Sequence, residues 1–439
     1  MNKLSSKVLS VMLVAALVLV GSGLLVSVAG QDKVTITYSD WQLAQDIWGR
    51  ILRESFEKFE RENPNIEVED QPVALGQMQT KLSTAIEGGR GPDVMALNVL
   101  AMQRFIHEGW AQSLQPFIDG EEEGYLDDFY EITLEPVSSG GEVYGIPMNV
   151  TAMVMVYNSQ MWREAGLNPA DPPADWDEYM EYAEKLTKDT DGDGKIDQWG
   201  AGSPFAGKAG FQLRFVPVFR GFGASLLTDD WEHSNLDTPE AKEAFKYIVE
   251  LGRSDYMPPG TAQNDCNDVR RLQANKKVAN IIGTMWTIPE VSGMNPDLQG
   301  WKVLEMAPVP VAKGKDVDKH TVLYEKSLFM NPNTKHPEAA WKLIKFLTAP
   351  EQMQKWFDWQ LMPSGRKSVN ETYPPILQSK YAQVVIPEID RGGFVPLTPK
   401  YPEALEAFRS ELQNAIIGAK DWEKALMDAH KKVEDIVSG

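Results

Sequence analysis

The sequence predicts a two-domain α/β protein, and three observations carry that reading. The chain has 439 residues, whereas a single hydrophobic core stops growing at roughly 250–300 residues. At 43% hydrophobic and 24% charged residues, it holds enough apolar surface to fill two cores. From Val34 onward, strand-like and helix-like periodicities alternate through Leu97. Strand, helix, strand, helix and strand within about 70 residues imply a mainly parallel sheet with short right-handed crossovers.

The first thirty residues stand apart from this pattern. Lys3 and Lys7 precede an apolar run, Val8 to Val20, then Gly21-Ser22-Gly23 and a second apolar patch. Small residues Ser27, Ala29 and Gly30 place a cleavage site near Ala29 or Gly30, so 1–30 reads as a secretory signal peptide. Retention as a membrane anchor is the alternative, because the stretch approaches the ~20 residues that span a bilayer. No cysteine sits at the junction, which excludes a lipoprotein anchor. Cys266 stands alone and makes no internal disulfide.

In the mature chain, Val34 to Tyr38 alternates as a strand does, and Ile47, Ile51, Leu52, Phe56 and Phe59 suit one helix face. Asn63-Pro64 ends that helix. Ile66 to Val68 is the next strand, a helix over 77–87 stops at Gly88-Gly89, and Asp93 to Leu97 is a buried-looking strand. Tyr144 to Tyr157 is extended. Helices are expected at 176–187, 239–251, 337–347, 402–417 and 422–436, several with Pro or Asp at the start. No Pro/Ser-rich linker separates two halves, so crossing strands are expected to join the domains.

The formal net charge of −20 argues against a nucleic-acid partner. The sequence lacks a glycine-rich dinucleotide loop after a strand, a Walker loop, a Gly-x-Ser-x-Gly elbow and a His-x-x-x-His pair. No cofactor is therefore required. Thirteen tryptophans point elsewhere. Trp162, Trp341 and Trp356 have helix-core spacing, but Trp41, Trp199 and Trp286 sit beside strand ends or turns. In open α/β sheets ligands bind outside the carboxyl ends of strands. Indoles cover the apolar face of a sugar ring, and polar side chains satisfy its hydroxyl rim. Trp41 with Gln42, and Trp286 near Asn280, suit that chemistry.

Five segments then fall in register. They are Gly91-Pro-Asp-Val94; Tyr144-Gly-Ile-Pro147 with Tyr157-Asn158; Leu272 to Trp286; Asn331 to Trp341 leading into Phe346 to Glu351; and Pro363-Ser-Gly-Arg366. In order and spacing the chain resembles the family 1 extracellular solute-binding proteins, with Asn275 standing where glycine is usual. The resemblance implies a two-lobed, type II binding-protein fold with a hinge of three crossings. It places lobe 1 at 31–148 and 311–357, lobe 2 at 154–306 and 364–439, and the hinge near 149–153, 307–310 and 358–363. It implies a non-enzymatic, periplasmic or extracellular subunit of an ABC importer, a monomer that closes on a carbohydrate and presents it to permease subunits. The binding residues it implies are Trp41, Gln42, Asn98, Asn149, Thr151, Trp286, Tyr324, Glu325 and Arg366, with Tyr324 and Glu325 just before an expected strand Ser327–Met330. A secreted carbohydrate-active hydrolase is the rival reading, since carboxylates abound.

Asp189, Asp191, Asp193 and Asp197 place oxygens at positions 1, 3, 5 and 9 of an EF-hand-like opening, with Gly194 at 6. Position 12 is Gly200 rather than the usual glutamate. A structural calcium site and a plain acidic turn both fit this loop.

Overall fold

The computed structural model describes residues 33–439, so the expected signal segment 1–30 lies outside the described residues. Two sheets with separate helical layers form two lobes. The first sheet contains β1 (Val34–Asp40), β2 (Ile66–Pro72), β3 (Val94–Asn98) and β4 (Gly145–Ala152). The second contains β5 (Val154–Asn158), β6 (Trp199–Gly202), β7 (Val278–Gly283) and β8 (Leu304–Ala307). The chain then returns to the first sheet as β9 (Thr321–Met330) and β10 (Gly392–Gly393).

The first sheet has the order β10-β9-β3-β1-β2, with β4 also paired to β9. β1 runs parallel to β2 and β3, whereas β9 lies antiparallel to β3 and β4. The second sheet, β8-β5-β7-β6, is mixed rather than mainly parallel, since β5 runs antiparallel to both of its neighbours. The reason is topological. β5 continues β4 out of the first lobe with only Met153 between them, so its direction is inherited.

Local sequence accounts for the helices that matter to the site. In α1 (Asp46–Glu62), Ile51, Leu52, Phe56 and Phe59 face the core, and the Asn63 N–H closes the last turn on the Phe59 carbonyl at 2.8 Å. The helix α2 (Lys208–Gly221) was not foreseen. It is apolar on several sides and carries Pro217 inside, so it shows no one-sided period. Its Phe211 and Phe215 stack at 4.6 Å within the second core. Further along lie α3 (Cys266–Ala274), α4 (Thr287–Met294) and α5 (Pro350–Gln360). Among the described residues no helix is long and apolar enough to cross a membrane.

The crossings differ from the expected positions at two of three places. The first lies at Met153, whose N–H donates to the Val322 carbonyl at 2.9 Å. The second was expected at 307–310, with lobe 1 resuming at 311. Instead Ala312 N–H donates to Gly221 O at 2.7 Å and Lys315 pairs with Glu243 at 2.9 Å, so this stretch stays on the second lobe. The chain crosses close to His320, the residue before β9. The third was expected at 358–363, with lobe 2 from 364 onward. However, Arg366 pairs with Asp128 at 3.1 Å, and the Ser368 N–H donates to the same carboxylate at 2.8 Å. A largely buried guanidinium needs its carboxylate, and this one is on the first lobe. The chain reaches the second lobe later, where the Tyr381 hydroxyl donates to Leu304 O at 3.0 Å. It returns to β9 as β10, and only then enters the C-terminal helices Tyr401–Ile416 and Trp422–Ser438.

A candidate ligand-binding cleft

Three strand ends meet where the lobes face each other. β1 ends at Asp40 and turns directly into Trp41-Gln42. Asp40 caps that turn, accepting from the Gln42 N–H at 2.8 Å. β3 ends at Asn98, whose side chain accepts from the Leu100 N–H at 3.1 Å and starts the next helix. β7 ends at Gly283 and leads through Thr284 and Met285 to Trp286, the residue before α4. Only glycine fits at 283, because a Cβ there would lie 2.6 Å from the Thr287 hydroxyl. Trp199, by contrast, opens β6 at the opposite end and takes no part.

β9 supplies the rest by alternation. Tyr324 pairs with Thr151 and Lys326 with Asn149 across the β4–β9 ladder, so these four side chains share one face. That face looks across the gap. The Thr151 and Thr284 hydroxyls bond at 2.6 Å, one from each lobe, and the Trp286 and Tyr324 rings meet edge to face at 5.0 Å. The Tyr324 hydroxyl lies beside the Asn98 side chain, and burial raises its pKa.

Lys326 was not among the predicted residues, yet it organises the first-lobe wall. It is 1% exposed and donates to the Asp40 carboxylate and to Gln42 Oε1. Its ammonium sits 4.9 Å from the ring centres of both Trp41 and Trp356. Burial lowers its pKa despite the pull of Asp40. Trp356 in turn packs on Trp48 at 5.4 Å. The missed signal was the length of β9. The strand was expected only from Ser327, which left Lys326 outside the alternation that puts it in the cleft.

Of the predicted site residues, Trp41, Gln42, Asn98, Asn149, Thr151, Trp286 and Tyr324 converge here. Asn149 is 1% exposed, and neither end of its amide has a partner among the described residues. Two residues do not converge. Glu325 points to the opposite face of β9, where it is opposite Val150, accepts from the Ser327 hydroxyl and is fully buried. Arg366 lies on the flank of the first lobe, donating to Thr348 O at 2.7 Å with its guanidinium 4.3 Å from the Phe129 ring. Asn280 is likewise taken, accepting from the Trp162 indole at 2.7 Å.

The acidic loop is remote from this cleft. Asp189, Asp191 and Asp193 bring carboxylate oxygens within 4.8 Å of one another. Asp197 turns away from them. It accepts from Thr190 and from Lys277 at 3.0 Å, contacts that hold its carboxyl down at about 2.

A binding protein of Brucella abortus (strain 2308) is 25% identical over 418 residues, 94% of this chain and 95% of that protein. The multiple sugar-binding protein of Streptococcus mutans serotype c is 24% identical over 355 residues, 78% of this chain and 77% of that one. An ABC transporter solute-binding protein from Thermotoga lettingae TMO, crystallised with α-D-tagatose, superposes with a TM-score of 0.80 at 25% identity. That superposition covers 92% of this chain and 100% of the other. The family model described as bacterial extracellular solute-binding protein matches residues 45–354, and the chain belongs to that family.

Proposed function

We propose that this chain is the substrate-binding component of an ABC-type importer, working outside the cytoplasmic membrane, and that its cargo is a carbohydrate. The observation that carries this reading is the pairing of walls. Trp41, Gln42 and Lys326 on one lobe face Trp286 and Thr284 on the other, with the unsatisfied amide of Asn149 on the hinge strand. Such a set offers ring faces together with polar donors and acceptors, which is what a polyhydroxylated ring requires. The sugar-binding relative and the tagatose-bound structure support the same cargo class.

Closure follows from where the contacts lie. A ligand touching both walls stabilises the closed arrangement by its differential affinity for it. The closed form would then be what permease subunits recognise, with the protein acting as a monomer. A hydrolase would need two uncommitted carboxylates flanking the cargo. Asp40 is saturated by the Tyr38 hydroxyl, the Gln42 amide and Lys326, while Glu325 faces away. Incubation with an oligosaccharide panel tests both points. A rise in melting temperature without product is expected, and reducing ends appearing with turnover would overturn the transport reading.

Trp286→Ala is expected to weaken saccharide affinity by about 1–3 kcal/mol, the worth of a stacked aromatic anchor. Because Trp286 is only half-buried, the melting temperature should stay close to wild type. Unchanged affinity in titration calorimetry would assign Trp286 to packing.

A further inference from the structure

The second-lobe wall beyond Trp286 holds a cation without a counter-ion. Arg214, on α2, is 5% exposed. Among the described residues it forms no ion pair or hydrogen bond, and only the charges of neighbouring groups reach it. Its surroundings follow from helix packing. α2 touches α3 so closely at Gly210 that a Cβ there would lie 2.3 Å from the Cys266 sulfur. Arg214 stands one turn beyond Gly210, and Arg270 one turn beyond Cys266. Arg270 is engaged, pairing with Glu290 at 2.9 Å. Glu290 lies one turn after Trp286 on the same face of α4, so this cluster continues the wall that Trp286 begins.

The charge balance is uneven. Two guanidiniums, Arg214 buried and Arg270 largely so, stand against one carboxylate, Glu290, which is 41% exposed to solvent, in a chain whose formal charge is −20. The other wall is balanced, with Lys326 paired to Asp40. A guanidinium offers five N–H donors in a fixed fork, and those of Arg214 have no protein acceptor among the described residues. Planar carboxylates match that fork in two parallel bonds.

Resting on the saccharide reading above, we propose that the cargo is an acidic saccharide whose carboxylate docks on Arg214. The rest of the ring would lie against Trp286, and hydroxyls would meet the first-lobe groups.

The test is competitive capture. The full-length mature protein is mixed with equimolar mono- to tetrasaccharides in matched pairs, each neutral sugar with its uronate counterpart, and the bound fraction is read by mass spectrometry. Enrichment of the uronate over its neutral mate by at least about tenfold is expected. Titration of the captured uronate should show affinity falling on the order of a hundredfold in Arg214→Gln, with Arg214→Lys retaining part of it. Preferential capture of neutral sugars by the wild type would overturn the acidic cargo and leave the saccharide reading standing. Capture of no sugar at all would overturn both. If Arg214→Gln fails to fold by circular dichroism, the wild-type enrichment decides alone.

Discussion

Lys326→Met is expected to destabilise the fold by about 3–5 kcal/mol and to remove saccharide binding, the largest effect of any single change in the cleft. The reason is the company Lys326 keeps. Asp40 is 0% exposed, and among the described residues its only cationic neighbour in bonding distance is this ammonium. Removing the lysine leaves a carboxylate in a dry interior with a tyrosine hydroxyl and one amide for solvation. Gln42 Oε1 loses its donor at the same time, and the cation between Trp41 and Trp356 disappears. Both consequences fall on residues that face the cargo. The double variant Asp40→Asn with Lys326→Met separates them. It removes both charges and should recover most of the stability, while affinity stays low because Trp41 and Gln42 are no longer held. Denaturant titration and calorimetry on the three proteins measure this. A loss below about 1 kcal/mol in Lys326→Met would mean that the pair is solvated, as surface pairs are.

How much of this was legible in the sequence depends on the kind of signal. Residues 34–98 were readable because each strand there is short, bounded by turns and separated by one-faced helices. The cleft residues that follow strand ends, Trp41, Asn98 and Trp286, were readable for the same reason, since chain geometry delivers them to one edge of a sheet. What failed was orientation within β9. Glu325 and Lys326 are adjacent, and the period of two sends one to each face, so a strand started six residues late leaves the choice open. Arg366 failed differently. Its partner Asp128 lies 238 positions away, and no local pattern announces that pair. α2 was invisible because a helix buried on several sides has no polar face to set its period. The corrections to the second and third crossings share that cause. Gly221 and Asp128 capture segments that sequence spacing alone would send to the other lobe.

Glu325→Gln should change the pH dependence of stability without changing affinity. The carboxyl is fully buried on the side of β9 that faces away from the cargo, with one oxygen accepting from Ser327 and the other without a partner among the described residues. Burial raises its pKa well above the ordinary carboxylate value; the Ser327 hydroxyl opposes that shift and the charge of Glu135 adds to it. The native protein therefore holds a neutral acid where the unfolded chain holds a carboxylate. An acid whose folded pKa is raised leaves stability intact below its unfolded pKa. As the pH climbs from the unfolded toward the folded value, the unfolded state gives up a proton that the native state keeps, and stability falls. The slope is about 1.4 kcal/mol per pH unit for one such group. Glutamine has nearly the same shape and does not titrate, so its curve should lack this component. Urea denaturation at pH 5, 6, 7 and 8 is expected to show the variant gaining on the wild type at each step. Saccharide affinity at pH 7 should remain within about threefold, because no atom of residue 325 reaches the cleft. Parallel stability curves would mean that Glu325 is ionised in the native state, which requires a cation or water at the oxygen that now has none.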